Sequence, residues 1–554
     1  MNFKYIKQIV PAAVLSLSLG LGSCVNDLDV SPIDPSTNMT PDYDALFTKC
    51  YANLALAGNG GANGDCDIDG LDGGTTGFVR QMFNANELTT DEAICNWGDE
   101  GIPAFNFNQW GASHPMLKGF YYRLYFGVTM CNFYLAEAAD HDATMTAEVR
   151  FLRAYYYFHL MDCFGNVPFL TAVTPDAAPQ ATRKEVYDFI ESELIGKKGE
   201  NGEIIEKGCI ESMKAPKTNT YGRADQAAGW MLLSRLYLNA EVYTGTAQWK
   251  KAAEYADKVM KSGYALHKKG VGKWSAYQML FMGDNGIEID SVGNVNYGNG
   301  AYVEAVLPLL QNGKKTTSWG TSLFLMASTF NDKMNYVGEA TNGTTETWGG
   351  IRCRPDLVRK FFPNGGIPED TDTWGVLEAA KDDRALFWGK GHTLDVDDVA
   401  TFESGFACTK FTNFYSDGSA SKNSSQFCDT DYFLMRAAEA WLTYAEATAR
   451  LNGGTTTPEG AAAINEIRSR AHATTKASYS LDEILDEWAR EFYFEGRRRS
   501  DLIRFGKFGG SSDYRWQWKG GVKEGTNFNA NLNIFAIPDA DLNANPNLKQ
   551  NPGY

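Results

Sequence analysis

The sequence predicts a mainly α-helical protein in which pairs of amphipathic helices form a scaffold for long loop insertions. Apolar and aromatic residues recur every three or four positions in several stretches, which is typical of helices packed in a core. Polar, glycine-rich segments lie between these stretches. No low-complexity linker follows Pro41. We therefore predict one domain over 41–554, with an amino-terminal part of about 41–240 and a carboxy-terminal part of about 280–554.

The amino terminus has the pattern of an export signal. Two lysines precede an apolar run from Ile9 to Leu21, which is too short for a transmembrane helix of about twenty residues. Small residues and then Cys24 follow directly, as in a bacterial lipoprotein. We therefore predict a signal peptide over 1–23, acylation of Cys24 and a tether over 24–40, with an ordinary secretory signal as the alternative.

One stretch, Glu148–Phe169, has a long helical pattern and reads EVRFLRAYYYFHLMDCFGNVPF. One face of this helix collects residues spaced by four or three positions, namely Phe151, Tyr155, Phe158 and Met161. Gly165 followed by Pro168 predicts where the helix ends. The helix is apolar over more than half its circumference, so we expect other helices to pack on two sides of it.

This stretch resembles the signature helix of the SusD/RagB family of Bacteroidetes outer-membrane lipoproteins. Three further segments resemble motifs of that family in the same order: 221–238, 487–506 and 537–554. The resemblance therefore spans the whole chain. It implies a scaffold of tetratricopeptide-like helix pairs with no catalytic activity and no resident cofactor. It also implies a lipid-anchored position on the outer face of the outer membrane, an oligosaccharide ligand and a SusC-like TonB-dependent transporter as partner.

Helix pairs are predicted further along the chain as well. The segment Trp249–Met260 has the small-and-aromatic spacing of a tetratricopeptide-like helix. The segments 429–450 and 461–472 form another candidate pair. No strict repeat of 34 residues is visible, so the assignment of repeats rests partly on the family resemblance.

Composition and motifs exclude several classes of function. The net charge of −17 argues against nucleic acid, whose phosphates require a basic surface, but it does not penalise an uncharged sugar. The sequence has no phosphate-binding loop, no H-E-x-x-H motif and no G-x-S-x-G motif. It has ten cysteines but no C-x-x-C pair, and nine remain if Cys24 is acylated. At least one thiol must then be free, although individual disulfides stay possible.

Three tryptophans lie in loop-like surroundings, because each is followed by glycine and flanked by polar residues: Trp97, Trp319 and Trp348. A tryptophan presents a flat apolar face to the C–H face of a pyranose ring, which makes these residues candidates for glycan stacking. The family resemblance implies an arc of aromatic residues with an arginine and a polar partner, here Arg80 and Asp99. A lid of tryptophans over the core is the alternative.

Acidic residues also suggest a cation site. Asp284, Asp429 and Asp431 together resemble a structural calcium site of starch-binding members of the family. Carboxylate oxygens are the ligands that calcium prefers. We therefore predict a possible structural calcium ion at these three residues.

Three functional interpretations follow from the sequence. The first is a surface lipoprotein that captures a neutral oligosaccharide, with a starch-type α-glucan as the specific prediction, and passes it to the transporter. The second is a tetratricopeptide-like adaptor that binds protein, and the third, more remote, is a glycoside hydrolase. Exposure of the three tryptophans around one concave surface favours the first interpretation, and burial of all three favours the second.

Overall fold

The structure, a computed structural model, describes residues 42–199 and 201–554. The predicted signal peptide, Cys24 and the tether lie outside the described residues. The chain divides into a unit Met1–Leu46 and a compact unit Phe47–Tyr554, and the packing described below is that of the second unit. Among the described residues, no helix combines the length and the apolar character needed to cross a bilayer.

Helices dominate the described part of the chain, so the prediction of a mainly α fold is confirmed. The helices are α1 (Tyr43–Ala55), α2 (Phe78–Asn86), α3 (Ile102–Asn106), α4 (Pro115–Glu137), α5 (Ala143–Phe164), α6 (Arg183–Ile195), α7 (Gln226–Leu238), α8 (Ala240–Thr244), α9 (Trp249–Met260), α10 (Ser322–Thr329), α11 (Pro355–Arg359), α12 (Thr373–Ala380), α13 (Ala438–Leu451), α14 (Pro458–Arg470), α15 (Leu481–Phe492), α16 (Arg498–Arg504) and α17 (Asp539–Ala544).

In the described part of the chain, the strands are short and pair antiparallel in one four-stranded and four two-stranded sheets. They are β1 (Ala93–Cys95), β2 (Val167–Pro168), β3 (Gln180–Ala181), β4 (Gly196–Lys198), β5 (Ile204–Lys207), β6 (Glu288–Ile289), β7 (Val295–Asn296), β8 (Ala305–Leu309), β9 (Ile351–Cys353), β10 (Phe387–Trp388), β11 (Ala407–Cys408) and β12 (Tyr432–Arg436). The four-stranded sheet has the order β1-β9-β11-β10.

The helices form a chain of packed neighbours. In the amino-terminal part, α4 packs on α5 and α5 packs on α6. In the rest of the scaffold, α7 packs on α9, α9 on α13, and α13 on both α14 and α15. Helices α9 and α13 are neighbours in space, although the segment 261–437 separates them in sequence. This long insertion into a helix-pair scaffold carries Trp319 and Trp348, so the scaffold positions these loops.

The signature helix is α5, and it begins earlier than its apolar pattern suggested. The Asp142 side chain accepts a hydrogen bond from the backbone amide of Met145 at 2.8 Å. This bond caps the helix six residues before Glu148, the first residue of the quoted stretch. The helix ends at Phe164, and Gly165 follows in a conformation with positive φ, as predicted. All its residues from Phe151 to Phe164 are buried, which confirms that it packs on more than one side.

Charged residues of the family-like motifs are bound to one another in the interior. Glu148 of the first motif accepts hydrogen bonds from Arg223 of the second at 2.7 and 3.0 Å. Arg499 of the third motif lies 3.4 Å from Asp162 of the first. The side chains of Glu148 and Arg499 are fully buried. These motif residues therefore stabilise the fold, which explains why the motifs signal the family and not a ligand.

The start of a later helix was also predicted wrongly. The segment 429–450 was expected to be one helix, but β12 (Tyr432–Arg436) precedes α13. β12 pairs with β8, a strand far earlier in the chain, and all its residues are buried. When an apolar segment is buried on both faces, the period of its apolar residues is the same for a strand and a helix. The long-range pairing with β8 therefore determines that this segment is a strand.

None of the nine described cysteines forms a disulfide. Eight are buried and Cys66 is half-buried. Within 42–199 and 201–554, the possibility of individual disulfides is therefore not realised. A buried thiol packs as a small hydrophobe, and burial raises the pKa of Cys95 to about 12, which keeps it protonated and unreactive.

Two buried glutamates, Glu87 and Glu92, meet between α2 and the turn that joins α15 to α16. Their carboxyl groups interact with each other, and each accepts a backbone amide, Glu87 from Arg497 at 2.8 Å and Glu92 from Phe494 at 3.3 Å. Burial raises the pKa of Glu87 to about 7. Burial and the neighbouring Glu87 charge raise the pKa of Glu92 well above its usual range. The pair therefore shares a proton near neutral pH.

We expect the substitution Glu87→Gln to remove a pH dependence of stability. A carboxyl whose pKa is raised on folding stabilises the folded state fully below its unfolded pKa of 4.5, and this contribution is lost as pH rises through about 7. Over that window, the free energy of unfolding of the wild type should fall by about 3 kcal/mol relative to that of the variant. Denaturant titrations across the window measure this difference. The exposed Glu211→Gln should follow the wild type, and a Glu87→Gln curve parallel to both would contradict the shared proton.

Candidate functional site

The pairing of β1 with β9 brings two of the predicted tryptophans together. Cys95 at the end of β1 pairs with Ile351 at the start of β9. Because the strands are antiparallel, the end of β1 lies beside the start of β9. Trp97, just after β1, and Trp348, just before β9, therefore lie at the same end of this strand pair. The amide of Asn96 donates to the carbonyl of Gly350 at 3.1 Å, which extends the contact beyond the sheet.

Gly350 is required for this close approach. A Cβ atom at that position would lie 2.2 Å from the ring of Trp97, so any other residue would displace the indole. A second close approach joins Gly77, which precedes α2, to Gly320, which follows Trp319. A Cβ atom on Gly77 would lie 3.0 Å from the Gly320 Cα atom. The amide of Arg80 also donates to the Gly320 carbonyl at 3.0 Å, so α2 is fixed against the Trp319 loop.

Helix α10 connects the other two loops. Trp319 precedes its first turn, and the amides of Trp348 and Gly350 donate to the carbonyls of Ala327 and Ser328 near its end, both at 2.7 Å. The last carbonyls of a helix have no hydrogen-bond donor within the helix, so the amides of Trp348 and Gly350 supply the missing donors. A single helix therefore fixes the separation of the Trp319 and Trp348 loops.

The three tryptophans form one continuous aromatic surface, here called the tryptophan arc and defined by Trp97, Trp348 and Trp319. The ring centroids of Trp97 and Trp348 are 6.3 Å apart, and those of Trp348 and Trp319 are 6.1 Å apart. Successive ring planes are inclined by 52° and 51°. All three side chains are half-buried, so each is held in place and still presents area to solvent.

Arg80 lies at the Trp97 end of the tryptophan arc. Its guanidinium carbon is 5.7 Å from the centroid of Trp97 and 5.0 Å from that of Phe324 beneath it. Burial lowers the pKa of Arg80, whereas the charges of Asp72 and Asp99 act in the opposite direction. The buried Nε–H has no hydrogen-bond acceptor among the described residues. An N–H in this position can donate to a hydroxyl of a ligand bound on the arc.

Asp99 and Asp72 are the acidic neighbours of Arg80. Asp99, the predicted polar partner, is exposed in the loop before α3 and interacts with Arg80 only through its charge. Asp72 was missed by the sequence analysis; it is also exposed, and its charge acts on Arg80 more strongly than that of Asp99. Partial desolvation acts to raise the pKa of Asp72, but hydrogen bonds from Thr75 outweigh it and lower the pKa. The carboxylate of Asp72 is therefore ionised and is an acceptor at the site.

The structure adds Phe427 to the arc, because its ring lies 4.9 Å from that of Trp319 at an angle of 49°. Asn63 fixes Trp319 by accepting its indole N–H at 2.9 Å. Glu346 accepts the indole N–H of Trp348 at 2.8 Å and the side-chain amide of Gln426 at 2.9 Å. No sequence signal marked Phe427, since it follows a polar, serine-rich segment that resembles an ordinary loop.

The three aspartates of the predicted calcium site accept hydrogen bonds from the protein itself. Asp429 accepts from Gly313 at 2.9 Å, Asp431 from Gln311 at 2.7 Å and Asp284 from the Ser416 hydroxyl at 2.6 Å. Among residues 42–199 and 201–554, no three His, Cys, Asp or Glu side chains are placed to share a metal ion. Calcium binding at these residues therefore stays an untested prediction.

These features describe a helical scaffold with a loop-built aromatic surface. The model of the SusD family matches residues 372–554, and a model described as "Starch-binding associating with outer membrane" matches residues 28–238. The chain is 38% identical to the starch-binding protein SusD of Bacteroides thetaiotaomicron, with 100% of both chains covered. It is 24% identical to the SusD-like protein P2 of Formosa agariphila, with 74% of both covered. The chain belongs to the SusD family.

Solved structures agree with this assignment of the fold. A SusD-like protein from Bacteroides fragilis has a TM-score of 0.63 at 19% identity, covering 93% of this chain and 98% of that one. Surface glycan-binding protein A of Bacteroides thetaiotaomicron, solved in complex with laminarihexaose, has a TM-score of 0.61 at 18% identity, covering 92% and 98%. The predicted SusD-like fold is therefore confirmed.

Proposed function

We propose that the protein is a non-catalytic glycan-binding protein that holds a neutral oligosaccharide on the tryptophan arc. The observation that carries this proposal is the convergence of three half-buried tryptophans from separate loops with a guanidinium whose Nε–H lacks an acceptor among the described residues. Indole faces cover the C–H faces of pyranose rings, and Arg80 and Asp72 supply a donor and an acceptor for ring hydroxyls. A lid over the core would bury the tryptophans fully, so the protein-binding adaptor is disfavoured.

A starch-type α-glucan is the proposed ligand. Neighbouring rings of the arc are inclined by 52°, 51° and 49°, so their faces cannot lie in one plane. A curved α-glucan offers successive sugar faces in changing directions, whereas a flat, extended glycan does not. The name of the relative that is 38% identical, a starch-binding protein, supports the same ligand. Several stacking contacts at roughly 1 kcal/mol each give only micromolar to millimolar affinity after the entropy of association is subtracted.

We expect soluble amylopectin to retard the protein in affinity gels more than levan, xylan, mannan or host-type glycans do. The physical reason is the fit of a curved neutral chain to inclined aromatic faces. Electrophoresis through gels containing each polymer, followed by calorimetry with the best ligand, measures this preference. Retardation by levan alone would rule out the starch assignment but not glycan binding. Retardation by none of the polymers would refute the proposed function itself.

We further propose that acylated Cys24 anchors the protein to the outer face of the outer membrane, where a SusC-like transporter receives the glycan. The description of the family model that matches residues 28–238 supports association with that membrane. A binder cannot move an oligosaccharide inward by itself, because polar cargo does not cross hydrocarbon. Weak, reversible stacking suits a protein that must release its ligand to a second protein.

We expect wild-type protein from cells fed a fatty-acid analogue to carry the label and to co-purify with a TonB-dependent transporter. The Cys24→Ser variant should carry no label, because a hydroxyl cannot form the thioether that holds the anchor. Detergent extraction of membranes, affinity purification and mass spectrometry measure both results. The matched variant is Cys50→Ser, which changes a buried cysteine of α1 and should retain the label. Label on Cys24→Ser would refute the anchor, and purification without any transporter would refute the partnership.

A further inference from the structure

A second cleft, here called the tyrosine cleft, lies between α4, the connection between β2 and β3, and the carboxy-terminal segment. Its volume is about 250 Å³. Its walls include Tyr121, Tyr125, Tyr157, Asp541 and Asn545. None of its lining residues belongs to the tryptophan arc, so the two surfaces are separate.

Hydrogen bonds fix the walls of the tyrosine cleft. Tyr125 donates to the Pro168 carbonyl at 2.6 Å, and Tyr157 donates to the Leu170 carbonyl at 2.7 Å. The side-chain amide of Asn545 donates to the Ala178 carbonyl at 2.9 Å, which ties the carboxy-terminal segment to the β2–β3 connection. The cleft is therefore formed by the folded protein before any ligand arrives, as small-molecule sites usually are.

Two buried polar atoms at the cleft have no hydrogen-bond partner of good geometry among the described residues. One is the hydroxyl of Tyr121, a residue only 1% exposed. It interacts with the hydroxyl of Tyr125, but the two groups do not have the geometry of a hydrogen bond. Oδ2 of Asp541 is also buried without a partner, although Tyr122 interacts with the same carboxylate. Leaving such groups unpaired costs stability, so a partner from outside the protein would be favourable for each.

We propose that the tyrosine cleft is a second ligand site that takes a small neutral polyhydroxylated molecule, a mono- or disaccharide. A hydroxyl both accepts and donates, so neighbouring hydroxyls of one sugar can accept from Tyr121 and donate to Asp541. An ammonium group would satisfy the carboxylate but offers no acceptor to the phenol, and the charge of Asp541 repels an anion. The tyrosine rings supply apolar area for the sugar face. One water occupies about 30 Å³ and would leave most of the cleft unfilled.

The test uses the full-length protein with the double substitution Trp97→Ala and Trp319→Ala, which removes binding at the arc. Saturation-transfer NMR with glucose, maltose and N-acetylglucosamine as separate probes reports binding elsewhere. We expect at least one probe to bind with a millimolar dissociation constant. Adding Tyr121→Phe and Asp541→Asn should weaken that binding about tenfold or more, as expected for the loss of two hydrogen bonds. Tyr121→Phe removes a hydroxyl that the described residues leave unbonded, so the variant should fold normally.

Matched controls separate this site from general effects. Tyr187→Phe removes another buried hydroxyl without a hydrogen-bond partner among the described residues, at a tyrosine that does not line the cleft. Asp539→Asn changes an exposed carboxylate on the same helix as Asp541. Both should leave probe binding unchanged. Absence of binding by all three probes, or binding unaffected by the cleft substitutions, would overturn the proposal. With the arc intact, Tyr121→Phe with Asp541→Asn should retain retardation by amylopectin, so failure at the arc and failure at the cleft are distinguishable.

Discussion

The double variant Trp97→Ala, Trp319→Ala is expected to lose measurable binding of the glycan that the wild type prefers. The two indoles lie at opposite ends of the tryptophan arc, each next to Trp348. Removing both deletes two stacking faces and their apolar contact area, together worth about 3 kcal/mol or more than a hundredfold in affinity. Starting from micromolar to millimolar affinity, this loss should abolish retardation in affinity gels and heat release in calorimetry.

The control for this variant is Trp249→Ala, which removes a half-buried tryptophan at the start of α9, outside the arc. It should bind as the wild type does. Trp319→Tyr should retain much of the binding, since a phenol ring keeps a stacking face although it loses the indole N–H that Asn63 accepts. Wild-type binding by the double variant would show that the arc is not the glycan site.

Much of the fold could be predicted because local patterns and tertiary structure agree. The segment Trp249–Met260 was predicted from its spacing alone, and it is the helix α9 without change of boundary. Gly165 and Pro168 predicted where α5 ends. In these elements the apolar period matches the face that is buried, so the sequence pattern carries the information. By contrast, β12 depends on pairing with a distant strand, which no local period shows.

The site was predictable only in part, for a related reason. A tryptophan between polar residues and glycine indicates a loop, and that pattern identified three members of the arc. The convergence of Trp97 and Trp348 depends on the pairing of β1 with β9 across a long stretch of sequence, as in Ala93 with Cys353, and α10 then holds the Trp319 loop beside them. Phe427 and Asp72 join the site only through such tertiary contacts. Sequence shows which side chains are suited to a ligand, but long-range pairing determines which of them meet.

A network of buried charges holds the carboxy-terminal motif to the insertion and the scaffold. Arg436, at the end of β12, contacts Glu304 at 2.9 Å, Glu491 at 2.6 Å and Glu495 at 2.7 Å. Arg470 of α14 contacts Glu304 at 3.1 Å and also binds Glu491. The side chains of all but Glu495 are fully inaccessible to solvent, and Glu495 is only 5% exposed. Burial acts to raise the pKa of Glu491, but the charges of the neighbouring arginines outweigh it and lower the pKa to about 2.

We expect Arg436→Met to lower the free energy of unfolding by about 3–5 kcal/mol, because three buried carboxylates each lose one of their cations. Arg470 still contacts Glu304 and Glu491, and Lys410 still contacts Glu495. The desolvation of these carboxylates has already occurred on folding, so losing Arg436 leaves part of its cost uncompensated. Titration with urea, which adds no ions, followed by tryptophan fluorescence measures the loss. Failure of the variant to accumulate as folded protein would be the extreme form of the same result. Arg436→Lys keeps the charge but has three donors on one nitrogen in place of the planar fork of five, so its stability should lie between those of the wild type and Arg436→Met.

The matched control is Lys184→Met, which breaks the exposed pair with Asp188 on α6. Its side chains are 63% and 52% exposed, so water and salt already screen the interaction, and the loss should stay below about 1 kcal/mol. Raising the salt concentration should reduce that small loss further but leave the effect of Arg436→Met nearly unchanged, since ions do not reach the buried network. Equal effects of the two substitutions would contradict the role of burial, which is the physical difference between the pairs.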